Sequence, residues 1–87
     1  MLKEDMKIVD PIGLHARPAG QLADIAGKFN CAISFIFRDR AVNAKSIINL
    51  MSLGIVKDSQ VSIVCDGVDE IDAMGAIKRF MAESKLI

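Results

Sequence analysis

A chain of 87 residues is long enough for one domain, 1–87, with a core of its own, and too short for two. Eleven basic side chains balance eleven acidic ones, so neither a nucleic-acid footprint nor attachment to anionic lipid is expected. No apolar run approaches the ~20 residues of a membrane span, and Met1 to Met6 is too charged for a signal peptide, so cytoplasmic residence is the expectation.

In chain order, Met6 and Ile8 flank Lys7 as a short alternating strand, ended by the turn chemistry of Asp10-Pro11-Ile12-Gly13. Pro18, Leu22, Ile25, Ala26 and Phe29 then recur at steps of three and four, which predicts an amphipathic helix. Cys31, Ile33, Phe35 and Phe37 alternate with Ala32, Ser34, Ile36 and Arg38 as a strand. Asp39-Arg40 is the expected hairpin turn and Ala41-Val42-Asn43 the return strand. Ile47 to Leu53, with Ser46 before it and Gly54 after it, reads as a short helix with a favoured cap at each end. Val61, Ile63 and Cys65 make a fourth strand. Asp69 is placed to cap a last helix whose buried face is Ala73, Met74, Ile77, Phe80 and Met81.

The order β-α-β-β-α-β-α predicts an α+β open-faced sandwich, because helices with apolar stripes bury them against one face of a sheet. Its antiparallel sheet stays wet on the other side. Cys31 and Cys65 fall in strands among apolar neighbours, where free cysteine behaves as a small hydrophobe. With one histidine in the chain, no metal site and no cofactor are expected.

That histidine, His15, stands in Gly13-Leu14-His15-Ala16-Arg17-Pro18-Ala19, at the start of the first helix. Its ring would lie beside the free amides of Ala16 and Arg17, and a helix N-terminus is a ready anion site. Arg17 adds a planar, permanently charged fork suited to phosphate oxygens, and Pro18 sits where a missing N–H costs nothing. Neutral imidazole is nucleophilic near neutral pH, so the setting suits a side chain that becomes anionic only after accepting a phosphoryl group. Taken alone, the motif is equally that of a capping histidine, the commoner case. No serine or cysteine nucleophile and no carboxylate adjoins it, so hydrolase chemistry is unsupported.

The same seven residues resemble the active-site signature of the HPr family, the histidine-containing phosphocarriers of the bacterial phosphoenolpyruvate-dependent sugar phosphotransferase system. Val42-Asn43-Ala44-Lys45-Ser46-Ile47 and Met51-Ser52-Leu53-Gly54 resemble that family's second signature, in register with the first. The similarity runs over essentially the whole chain. The resemblance implies that enzyme I phosphorylates His15 on Nδ1 and that His15 donates to sugar-specific IIA proteins or domains, with Arg17 contacting the phosphate. It implies a carrier and not an enzyme, and a monomer is expected.

It also implies that Ser46 is phosphorylated by a dedicated kinase/phosphorylase, in the Gram-positive manner, and that the modified protein serves a catabolite-control transcription regulator. Two alternatives stand beside this reading: an HPr-like regulatory binding protein acting mainly through Ser46, and a nitrogen-linked paralogue. Independently of any family, Ile47, Ile48, Leu50, Met51 and Leu53 spread over roughly 220° at ~100° per residue, where a buried stripe needs little over 100°. Ile47, Ile48 and Met51 are accordingly expected to form an exposed partner-binding patch. Ile12 replaces the family's usual small polar residue and Asn49 a usual glycine. Gly20-Gln21 and Asp24 depart from the common pattern on the first helix.

Overall fold

The computed structural model describes all of the chain, Met1 to Ile87. Its elements are β1 (Leu2–Lys7), α1 (Ala16–Ala26), β2 (Ala32–Phe37), β3 (Arg40–Asn43), α2 (Ile47–Ser52), β4 (Gln60–Asp66) and α3 (Glu70–Glu83). The four strands form one antiparallel sheet in the order β1-β4-β2-β3, with the helices on one face. This is the expected α+β sandwich.

The two central strands carry the clearest alternation. Ile33 and Phe35 of β2, with Val61, Ile63 and Cys65 of β4, point into the core, while Ser34, Ser62 and Val64 turn toward the open face. Register links the strands pairwise, with Phe35 opposite Ile63 and Ile33 opposite Cys65. Against this face pack Pro18, Ala19, Leu22, Ala23 and Ala26 of α1 and Ala73, Met74, Ile77 and Met81 of α3. Both cysteines are free and buried in that core. Phe80, expected in the buried face of α3, is only half-buried at its margin.

Several boundaries differ from the sequence reading, each for a local reason. β1 begins at Leu2, and not at Met6, and ends before Ile8. It is an edge strand whose Lys3, Glu4 and Asp5 obscure the apolar alternation, charges that suit an edge. Glu4 accepts a bond from Lys78 Nζ at 2.8 Å, and Asp5 accepts from the Ser62 hydroxyl. The hairpin turn is Arg38-Asp39, and Arg40 belongs to β3 opposite Phe37. Arg38 takes the left-handed conformation (φ 57°) with its guanidinium 5.0 Å from the Phe37 ring centre.

α1 ends at Ala26, with Lys28 and Phe29 in tighter turns bonded to the Ile25 and Ala26 carbonyls. Asp69 occupies the N-cap of α3, yet its side chain makes no capping bond. The carboxylate reaches across to accept the N–H groups of Asn30 (2.8 Å) and Cys31 (2.9 Å), and so fastens α3 to the entry of β2. Those bonds hold Asp69 below its ordinary pKa of 3.8, the Asn30 amide contributing most.

Candidate functional site

The loop before α1 is built to present one residue. Asp10 Oδ1 accepts the Ile12 N–H at 2.8 Å, and the Asp10 carbonyl accepts the Gly13 N–H at 3.0 Å, closing a turn. Gly13 then takes φ +83°, and a Cβ there would sit 2.3 Å from the Ile55 carbonyl oxygen. Only glycine lets the two backbones meet so closely. The contact is completed by the Leu14 N–H, which donates to Ile55 O at 3.1 Å, while the Leu14 side chain enters the core. The residue that follows is thereby fixed at the surface.

That residue, His15, is the N-cap of α1, with extended backbone (φ −91°, ψ −178°) and a side chain that makes no capping bond. Its ring is therefore not spent on the helix and is partly exposed. The first bond of the helix runs from the Ala19 N–H to His15 O at 3.0 Å, so the amides of Ala16 and Arg17 lie ahead of the helical ladder. Pro18 has no N–H to satisfy and is buried by its ring. Arg17 is exposed and takes part in none of the four ion pairs, which leaves its guanidinium uncommitted. This end of α1 thus offers an anion unbonded amides and the positive end of the helix dipole, with an unpaired Arg17 in its first turn. Helix-end attraction of this kind contributes ~0.3–1 kcal/mol at an exposed site, enough to stabilise an anion without trapping it.

α2 lies beside α1. The Ser46 hydroxyl accepts the Asn49 N–H at 3.2 Å, and so performs the capping expected of it. The wide apolar arc divides as anticipated on geometric grounds. Leu50 and Leu53 are buried, whereas Ile47, Ile48 and Met51 are 44%, 79% and 46% exposed. Ile47 leans toward α1, and its Cδ1 would be 3.8 Å from a Cβ placed on Gly20. Ile12, 67% exposed, and Val56, 58% exposed, add apolar surface from the two loops that meet at Gly13.

Val56 was not singled out in the sequence, because one valine in a loop carries no periodic signal. Lys45 and Arg40 stood in the sequence only as members of a motif and a turn, with no sign that Lys45 Nζ donates to the Phe29 carbonyl at 2.7 Å or that Arg40 bonds Ser52. These are long-range contacts of flexible side chains.

No group of three or more His, Cys, Asp or Glu residues comes together to hold a metal. The two surface clefts, about 430 and 280 Å³, lie between β2 and β3 and between α1 and α3, and His15 lines neither. His15 therefore stands on open surface, outside both clefts.

Comparison with known proteins shows the family. The family model described as the "PTS HPr component phosphorylation site" matches residues 2–83. The chain therefore belongs to the HPr family, the phosphocarriers of the phosphotransferase system, which carry a phosphoryl group without an enzymatic activity of their own. It is 44% identical to the phosphocarrier protein HPr of Mycoplasma genitalium over 88 residues, covering 100% of both chains. Its fold matches a mycoplasma histidine-containing phosphocarrier protein with a TM-score of 0.97 at 41% identity, over 99% of this chain and 98% of the other. An HPr from Thermoanaerobacter tengcongensis matches with a TM-score of 0.90 at 37% identity, over 99% and 96%. No helix is long and apolar enough to cross a membrane.

Proposed function

We propose that His15 is the residue through which this phosphocarrier works, accepting a phosphoryl group from enzyme I and passing it to sugar-specific IIA proteins or domains. The observation that carries the reading is the position of the only histidine in the chain, at the N-terminus of α1 with its ring free of capping duty. In the forward step an imidazole nitrogen, Nδ1 by resemblance to the family, attacks the phosphorus on the donor. The nitrogen–phosphorus bond forms as the donor's bond to phosphorus breaks, the donor group leaving with that electron pair, and the ring sheds the proton on its other nitrogen to solvent. Delivery to the next acceptor reverses these events. Arg17 and the Ala16 and Arg17 amides contact the phosphate oxygens in both directions.

The exposed side chains of Ile47, Ile48 and Met51 supply the apolar patch on which partners dock, on the short helix that packs beside α1. Enzyme I and labelled phosphoenolpyruvate should place an acid-labile, base-stable phosphate on the protein, and His15→Gln should abolish it. Label retained by that variant would refute the assignment.

Ser46 is proposed as a second, regulatory site, phosphorylated by a kinase/phosphorylase and read by a catabolite-control transcription regulator. The supporting observation is its N-cap position, directly before Ile47 and Ile48. A phosphoserine adds about −1.5 to −2 charge there, favourable toward the helix end but repulsive toward acidic groups of a docking enzyme I. Ser46→Asp should raise the KM of enzyme I for the protein, and Ser46→Ala should remove catabolite repression in cells. The retained His15 favours a carrier over a protein acting through Ser46 alone. Cytoplasmic residence and a monomeric state complete the reading.

A further inference from the structure

α2 is the element least able to hold its own shape. Its six residues fall well short of the ~12–15 that an isolated helix needs, and only Leu50 among them is buried. It has no basic residue in its last turn to complement the negative end of its dipole. The cation at that end comes from the sheet. Arg40, the first residue of β3, donates from Nη1 to the Ser52 carbonyl at 2.7 Å and from Nη2 to the Ser52 hydroxyl at 3.1 Å. That hydroxyl in turn donates to the Asn49 carbonyl at 2.7 Å.

The last four carbonyls of α2 are thus all engaged. Leu53 and Gly54 N–H groups serve Leu50 and Met51 at 3.3 Å each, both long bonds. Arg40 serves Ser52 directly and Asn49 through the serine hydroxyl, with the shorter bonds of the set. The N-terminal end is separately fastened by the Ser46 cap and by Lys45 on the Phe29 carbonyl. Between these two fastenings lie the exposed Ile47, Ile48 and Met51.

We infer that Arg40 is a positioning residue for partner docking: its two-pronged bond to Ser52 ties α2 to the edge of the sheet and holds Ile47, Ile48 and Met51 in the orientation that enzyme I reads. The inference rests on the proposed role of that patch. Arg40 is remote in sequence from His15 and takes no part in transfer, so it governs encounter with the donor and not the chemical step. A lysine keeps one donor for the Ser52 carbonyl but loses the fork, and is therefore a partial substitute.

The experiment compares the intact protein with Arg40→Ala, Arg40→Lys and Ile48→Asp as substrates of enzyme I, alongside hydrogen exchange of backbone amides. Arg40→Ala is expected to raise KM about fivefold with kcat within about twofold, the split of an interaction lost in binding alone. Arg40→Lys should recover part of that rise. Exchange at Leu53 and Gly54 should quicken about tenfold in Arg40→Ala while β4 amides stay protected, which separates a local release of α2 from general destabilisation. If Ile48→Asp raises KM and Arg40→Ala does not, the docking patch stands and the inference about Arg40 falls. A fall in kcat at unchanged KM would likewise overturn it. If Ile48→Asp leaves KM unchanged, the docking role of α2 fails and the inference falls with it.

Discussion

Replacing Gly13 by alanine should damage this protein far more than the same change at Gly54, although both glycines have positive φ and both end a turn. At Gly54 (φ +66°) no atom lies within 4 Å of the added methyl, so the cost is that of a left-handed L-residue alone, about 1–2 kcal/mol. Gly13 (φ +83°) pays the same conformational term and then a collision, since its Cβ would stand 2.3 Å from Ile55 O and 2.7 Å from Val56 Cα.

Both obstacles at Gly13 are backbone, with no side chain to swing aside, so the two loops must part. Overpacking of this kind costs about 1–3 kcal/mol. Separation also loosens the Leu14 N–H bond to Ile55 O, about 0.5–1.5 kcal/mol more. A total of about 2.5–6.5 kcal/mol is a large share of the ~4–13 kcal/mol expected for a domain of this size. Urea unfolding followed by circular dichroism measures the two midpoints, and amide exchange at Leu14 reports whether the loops have separated. Phosphorylation of Gly13→Ala by enzyme I should slow as well, because Leu14 anchors His15. Equal destabilisation by the two substitutions would refute the argument from close approach.

Gly75 lies on the exposed side of α3 with nothing within 4 Å of an added Cβ, so Gly75→Ala should stabilise by about 0.5–1 kcal/mol, read from the urea midpoint, and leave phosphorylation kinetics unchanged. Asp69, whose pKa is depressed chiefly by the Asn30 N–H, contributes stability that is fully present above its ordinary value of 3.8 and lost as pH falls through the lower folded-state value. Asp69→Asn should therefore unfold more easily at neutral pH and lose less on acidification below 3.8, as urea midpoints over a pH series would show. Burial, with Cys31 alongside, pushes the Cys65 thiol up to about 11, and burial also raises Cys31. Neither should react with an aromatic disulfide reagent at pH 8 in the native protein, and both should react in urea.

The elements legible in the sequence were those whose signal is local and periodic. Two central strands with strict alternation and two long helices with three-and-four spacing announce their buried faces because each face repeats along the chain. The α2 arc was readable for the same reason: five apolar residues too widely spread to bury together had to divide, and they do. His15 was legible as a helix start next to glycine and arginine, and the paired signatures supplied its family.

What the tertiary structure decided are the meetings between segments distant in sequence. The carboxylate of Asp69, a plausible cap by position, turns to Asn30 and Cys31 because those amides at the entry of β2 are brought within reach. The edge strand β1 extends back to Leu2 because β4 supplies partners that its own charged sequence does not advertise. Gly13 is indispensable only because Ile55 arrives against it, and Arg40 matters only because Ser52 does. Periodicity travels along a chain and is visible in one dimension. A backbone contact or a two-pronged bond across 12 or 39 residues depends on loop closure and packing, and exists only once the sheet has assembled.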